Sequence, residues 1–277
     1  MDDRRSREEP LEISEGAGVD HLANFATYPS LRGRVVAITG GGSGIGAEIV
    51  EQFARQGASV AFLDRDVDAS LRLVRGLTNQ VPRIPAFIAC DLTDISALRA
   101  ALARVASELG GPITVLVNNA GSDDRHTTAE ITPEYWDERL AVNLRHQFFA
   151  IQAVTDGMAA AGGGSIVNIG SIAWLIPSTR QAAYITAKAG IVGLTRTLAH
   201  EFGPANIRVN CVLPGAIMTE RQRRLWVTPE YAATIRAAQA LKRDLVPEDV
   251  ARLVLFLAAD DSSAMTSQNY IIDGGWV

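Results

Sequence analysis

The residues best suited to chemistry stand at Tyr184-Ile185-Thr186-Ala187-Lys188, where a phenol and an ammonium lie four positions apart, on one face if the segment is helical. A cation about 4 Å from a phenolate is worth on the order of 4 kcal/mol at an effective dielectric near 20, enough to bring a tyrosine pKa down from about 10 toward neutrality and to make a usable base. Ser171 comes thirteen residues before Tyr184, at the end of a predicted strand, and can hydrogen-bond the reacting oxygen. Asn143 falls inside a long predicted helix, where asparagine is a poor choice, so a polar task is expected of it, such as holding a water that relays the proton behind Lys188. Tyr-x-x-x-Lys alone recurs by chance, and its weight depends on the elements that gather these side chains.

Those elements are organised around Val35 to Gly46, Val-Val-Ala-Ile-Thr-Gly-Gly-Gly-Ser-Gly-Ile-Gly. Four apolar residues describe a strand buried on both faces, the glycines turn the backbone, and Ala47 to Arg55 goes helical. Gly40, Gly44 and Gly46 leave room at the helix N-terminus, where N–H groups and the helix dipole can hold a pyrophosphate. Further predicted strands cover Ser59–Asp64, Ile84–Ala89, Ile113–Val117, Ser165–Ile169, Ile207–Leu213 and Tyr270–Ile272. Helices alternate with them, among them Ile95–Leu109, a long one from Pro133 to about Ala161, Ala182–Phe202 and Pro247–Ala259. The alternation specifies an α/β fold, a doubly wound parallel sheet of about seven strands with helices on both faces and a ligand site at the carboxyl ends of the strands. At that edge fall Thr39 to Gly46, Asp64, Asp91, Asn118 to Gly121, Ser171 and Pro214-Gly215. Asp64, eighteen residues beyond Gly46, is placed to accept from adenosine ribose hydroxyls and to repel a 2′-phosphate; a plain helix-capping role is the alternative.

Composition excludes several classes. With 277 residues, 47% hydrophobic and 21% charged, the chain is long enough for one large α/β domain, read as residues 28–277. Residues 1–27 lack a sustained apolar period and read as a flexible N-terminal arm. A net charge of −5 argues against a nucleic-acid face, and no apolar run approaches a membrane span. Cys90 and Cys211 read as free core thiols of a reducing compartment, and with no signal-peptide pattern the cytoplasm is expected. No metal-ligand cluster is expected.

Together these residues resemble the single-domain short-chain dehydrogenase/reductase family. The motifs that carry the resemblance are Thr39-Gly40-Gly41-Gly42-Ser43-Gly44-Ile45-Gly46, Asp91, Asn118-Asn119-Ala120-Gly121, Asn143, Ser171, Tyr184, Lys188, Pro214-Gly215 and Thr219, in family order over residues 35–277. The resemblance implies that Gly40, Ser43, Gly44, Ile45 and Gly46 bind the pyrophosphate side of a dinucleotide. It puts Asp91 and Leu92 beside adenine, Asn118, Ala120 and Gly121 at the middle of the cofactor, and Pro214, Gly215, Ile217 and Thr219 at the nicotinamide end. Asn143, Ser171, Tyr184 and Lys188 become the catalytic group, Tyr184 and Lys188 also touching cofactor, and a homotetramer is implied. With Asp64, the expected cofactor is NAD.

Asn118 to His126, Tyr135 to Arg139, Val142 to His146 and Thr219 to Gln222 further resemble NAD-dependent dehydrogenases of free aldoses, those of D-xylose first. Physical chemistry points the same way. A sugar needs planar polar groups for its hydroxyls and an aromatic face for its C–H side, and Asp123, Arg125, His126, Trp174, Gln181, Gln222, Arg224 and Trp226 supply them near the expected site. Asp123, Trp174 and Gln181, with Ser171 and Tyr184, are the expected substrate contacts, and Ala216 to Leu241 reads as a lid. The alternatives are salt bridges at a subunit surface with Trp226 over core, and an ordinary surface helix pair. Two other functions stay open: a reductase of carrier-bound 3-ketoacyl chains or another secondary-alcohol dehydrogenase, and a non-catalytic nucleotide sensor on the same fold.

Overall fold

The computed structural model describes residues 25–277, so the expected arm lies almost wholly outside the described residues. Seven strands form one parallel sheet: β1 (Val35–Thr39), β2 (Ser59–Asp64), β3 (Ala86–Ala89), β4 (Val115–Asn118), β5 (Gly164–Ile169), β6 (Ile207–Pro214) and β7 (Asn269–Ile272). Their order is β3-β2-β1-β4-β5-β6-β7. The chain works outward from β1 to β3, then returns to β1's other side with β4, and this reversal opens a crevice beyond the carboxyl ends of β1 and β4.

Helices cover both faces because the central strands are apolar on both. In β1, Val36 and Ile38 pack with Phe53 of α1 (Gly44–Arg55) and Val254 of the last helix, while Val35 and Ala37 turn to the layer that holds Leu98, Leu102 and Ile151. The second layer is built by α3 (Ile95–Leu109), α5 (His146–Ala160) and α6 (Ala182–Phe202). α2 (Val67–Leu77) borders β3 and starts at Asp66, whose carboxylate accepts from Ala69 N; Asp94 does the same for α3. Burying each of these aliphatic and aromatic side chains contributes about 1.5–3 kcal/mol, which is what holds the strand ends in register.

The long predicted helix is continuous, but it is not uniform. It runs as α4 (Pro133–Leu140), one π-helical turn over Ala141–Arg145, and then α5. Such a turn adds one residue between two helical stretches, and the few apolar positions on either side do not locate it; π-turns of this kind cluster at functional sites. The predicted irregular segment 216–241 contains α7 (Glu220–Leu225) and α8 (Pro229–Ala238), each started by a threonine whose hydroxyl accepts a backbone N–H. α9 (Pro247–Ala258) then packs beside α1. Strands β3 and β4 begin two residues later than expected, since the residues before them, Ile84, Pro85, Ile113 and Thr114, lead in as loop. Among the described residues no helix is long and apolar enough to cross a membrane, no metal-binding cluster occurs, and Cys90 and Cys211 are free and buried.

Candidate active site

Tyr184 lies in the first turn of α6 and Lys188 one turn later, so the helix sets both toward the end of β5. The Lys188 Nζ donates to the Ile169 carbonyl at 2.8 Å and lies 5.6 Å from the Tyr184 ring centroid. Ser171, two residues past β5, accepts from Ala173 N at 3.1 Å and is near enough to the phenol to act on it as a hydrogen-bonding neighbour. Asn143 stands in the π-turn, fully buried. Its Oδ1 accepts from Ser122 N at 2.8 Å, and its Nδ2 donates to the carbonyls of Ser122 at 3.1 Å and Arg139 at 3.0 Å. Both amide protons are therefore committed, and Asn143 pins the loop after β4 to the helix, leaving one Oδ1 lone pair for a water. Gly121 is closely packed here, because a Cβ would stand 3.0 Å from Asn143 Oδ1 and 3.2 Å from Lys188 Nζ. The structure thus gathers Asn143, Ser171, Tyr184 and Lys188 from three elements.

The electrostatics correct one expectation. The Tyr184 phenol was expected near neutrality, but loss of water on burial pushes it up to about 12; the Ser171 hydrogen bond lowers it and the Asp123 carboxylate raises it further. Burial acts on the lysine in the opposite sense, lowering Lys188 to about 8, so the ammonium persists at neutral pH. Sequence spacing supplies the cation but says nothing of the desolvation that opposes it. Beneath the site His146 is fully buried, and desolvation together with the Lys188 charge lowers it to about 4, so it is neutral at physiological pH.

The glycine turn lies beside this group. Gly40 has φ +68° and a Cβ there would stand 2.7 Å from Ala120 Cα; a Cβ on Gly46 would stand 1.9 Å from the Gly40 carbonyl oxygen. Ser43 heads α1 with its side chain making no capping bond, unlike the caps of α2 and α3. That leaves the hydroxyl and the N–H groups of Gly44, Ile45 and Gly46 facing the crevice, an anion cradle of the kind a pyrophosphate fills. Asp64 ends β2 beside the glycine turn: Oδ2 accepts from Gly42 N at 2.8 Å and Oδ1 from Asp66 N at 2.9 Å, each oxygen keeping a lone pair. The cap of α2 is Asp66, not Asp64. Arg65 is exposed. Asp91 accepts from Thr93 N at 2.9 Å and Thr93 Oγ1 at 2.8 Å, while Leu92 packs on the α3 and α5 core. Asn118 is buried; its Nδ2 donates to Asn168 Oδ1 at 2.9 Å, while its own Oδ1 has no hydrogen-bond partner among the described residues. Its neighbour Asn119 ties the glycine turn instead, Nδ2 donating to the Gly40 carbonyl at 2.8 Å. Only the packed sheet decides which of the two neighbouring amides points where.

Pro214 ends β6, Gly215 lies against Asp273, Ile217 is buried, and Thr219 caps α7 by accepting from Gln222 N at 3.1 Å. Asp123, whose charge acts on both Tyr184 and Lys188, accepts from Gln222 Nε2 at 2.6 Å. Arg221 bridges Asp123 at 3.4 Å and Asp124 at 2.8 Å. Asp124 also binds the buried Arg139 at 2.6 Å, an anchor that sequence reasoning missed because a charged residue on a helix reads as solvated. Gln181, Asp124, His126, Tyr135, Arg180 and Tyr184 line one small cavity. Trp174 stands exposed on a short turn and Arg224 is exposed; neither is brought into the site.

The family model described as enoyl-(acyl carrier protein) reductase matches residues 40–277. The chain belongs to the short-chain dehydrogenase/reductase family. It is 53% identical over 251 residues to the D-xylose 1-dehydrogenase of Caulobacter vibrioides (strain NA1000 / CB15N), covering 91% of this chain and 98% of that protein. It is 54% identical over 248 residues to a protein of Rhizobium meliloti (strain 1021) named probable galactose dehydrogenase, covering 90% and 96%. Among solved structures, the 3-oxoacyl-[acyl-carrier protein] reductase of Brucella melitensis superposes with a TM-score of 0.83 at 34% identity, covering 90% of this chain and 94% of that one. As a member of this family the chain is an oxidoreductase of the CH–OH group, with the family's Rossmann-like fold.

Proposed function

We propose that the chain oxidises the anomeric hydroxyl of a free aldose, D-xylose first, to the aldonolactone with NAD as hydride acceptor. The observation that carries the reading is the carboxylate of Asp123, held by Gln222 beside Tyr184 and Lys188, which gives the mouth of the site a hydrogen-bonding wall suited to hydroxyls. Two relatives above half identity are named for sugars, and the two sugars differ, so the polar wall rather than identity has to choose between them.

A nicotinamide dinucleotide supplies the hydride acceptor, and Gly40, Ser43, Gly44, Ile45 and Gly46 would hold its phosphates, with Asp91, Leu92, Ala120, Gly121, Pro214, Gly215, Ile217 and Thr219 along its length. Asp64 favours NAD because its free lone pairs suit ribose hydroxyls and its charge repels a phosphate. The protein's own work is on the proton. Tyr184 takes it from the substrate hydroxyl, Ser171 orients that oxygen, and Lys188 stabilises the phenolate that burial disfavours. Asn143 keeps the loop carrying Gly121 and Asp123 in register, and Gln181, in the cavity it shares with Tyr184, completes the expected sugar contacts. We take residues 28–277 as one catalytic domain, 216–241 as its lid, and the active form as a cytoplasmic homotetramer.

The test is a panel of free aldoses with NAD and NADP, followed by absorbance of the reduced cofactor. D-xylose or a close aldose is expected to turn over with NAD, and Tyr184→Phe to lose about 10²- to 10⁴-fold in kcat while still binding cofactor. Inertness toward every pentose and hexose, with turnover of a 3-hydroxyacyl thioester, would replace this reading with the reductase one.

A further inference from the structure

The loop after β4 divides its side chains between two neighbours. Asp124 and His126 line the cavity shared with Tyr184 and Gln181, Asp124 also pairing with Arg221 of α7, whereas Asp123 and Arg125 turn to the α7–α8 segment. The Arg125 guanidinium lies 4.4 Å from the ring centroid of Trp226 and 5.7 Å from that of Tyr231, a cation stacked between the loop and the segment that covers it. Stacking satisfies the faces of these groups but not their N–H bonds. Arg125 Nε and Trp226 Nε1 are both shielded from solvent, and neither has a hydrogen-bond partner among the described residues.

Buried N–H donors are rarely left without an acceptor, because each then keeps its full desolvation cost. Two in one stacked pair, closed between the β4 loop and the α7–α8 segment, ask for an acceptor that enters as that segment moves aside. The nearby carboxylate is already engaged: Asp123 accepts from Gln222 at 2.6 Å and from Arg221 at 3.4 Å.

We infer that Arg125 and Trp226 form the subsite for the end of the substrate remote from the reacting carbon, and that their Nε–H and Nε1–H bonds are accepted by a substrate hydroxyl oxygen. This rests on the aldose reading above and adds the selecting residues to it. An acyl chain offers only methylene there and leaves both donors unpaired, whereas a sugar carries a hydroxyl on each carbon. A site built to pair a hydroxyl rejects the analogue that lacks it by orders of magnitude, so this pair sets the preference among aldoses as well as against acyl substrates.

Trp226→Phe keeps the aromatic face and the stack on Arg125 and removes only the N–H. Initial rates at saturating NAD are compared for wild type and variant on the best aldose of the panel and on each of its monodeoxy analogues. For the parent sugar the variant is expected to raise KM by about tenfold or more, with kcat little changed and KM for NAD unmoved. For one analogue, wild type already shows that loss and the variant adds nothing, which identifies the hydroxyl that accepts. Arg125→Met, which keeps the stem and removes the donors, is expected to show its loss on the same hydroxyl. An unchanged KM, or an equal rise for the parent and every deoxy analogue, overturns the subsite and leaves a mere clamp. Absence of wild-type turnover on any aldose overturns the aldose reading and the subsite with it, so the two failures are distinct.

Discussion

Replacing Lys188 by methionine removes the ammonium that lies 5.6 Å from the Tyr184 ring centroid while keeping a stem of similar bulk. A unit charge about 5–6 Å from a phenolate favours it by about 3 kcal/mol at an effective dielectric near 20, roughly 100-fold in its ionisation. The starting point is unfavourable, since burial has already pushed the phenol up to about 12. Without the lysine, the alkaline rise of kcat/KM is therefore expected to move to higher pH, and the rate at a fixed pH on that limb to fall by up to roughly 100-fold. The assay is initial rate against pH with saturating cofactor, supplemented by a thermal melt. The melt matters because the Ile169 carbonyl loses its donor at 2.8 Å, at a cost of about 1–3 kcal/mol that does not follow the phenol. Lys188, lowered to about 8, is charged below that pH and neutral above it, so the limb belongs to the coupled pair rather than to the tyrosine alone. Asp123→Asn should shift the limb the other way, because the Asp123 charge raises the phenol. A uniform loss at every pH in Lys188→Met, with the midpoint unmoved, would refute the electrostatic role.

The remaining expectations concern cofactor choice, the cradle and acid stability. Asp64→Ala removes the carboxylate that ends β2 beside the glycine turn and should bring kcat/KM for NADP up toward that for NAD; an unaltered ratio would place selection elsewhere. Gly46→Ala forces a Cβ to within 1.9 Å of the Gly40 carbonyl oxygen, so a loss of about 1–3 kcal/mol, a Tm lower by roughly 2–12 °C and weakened dinucleotide binding by calorimetry are expected, and normal binding would count against the cradle. His146 is held neutral down to about 4 against an ordinary value of 6.5. Its folded pKa is depressed, so below about pH 6.5 the unfolded chain binds a proton that the folded one refuses, and stability falls by about 3 kcal/mol as pH drops to about 4. His146→Leu should flatten that stretch of the acid denaturation curve; an unchanged slope would show that another group controls it.

Much of this could be read along the chain. Local order needs only local signals: the buried run at Val35–Thr39 followed by glycines, the alternation of strand and helix, and the caps and stops gave the seven-stranded parallel sheet, and the spacing of Tyr184 and Lys188 on one helix required no tertiary contact. The placement of Asp64 at the end of β2 followed from counting residues. What the linear order does not carry is how groups distant in sequence share space and water. The π-turn at Asn143, the choice of Asn119 over Asn118 to hold the glycine turn, and the anchoring of Asp124 by buried Arg139 each depend on contacts between separate elements. So does the electrostatic state of the site, because a pKa is set by how much water burial removes, and burial is a property of the packed fold. Trp174 and Trp226 look alike as aromatic residues near the site in sequence; only the packing of α7 and α8 over the β4 loop leaves the first exposed and stacks the second on Arg125.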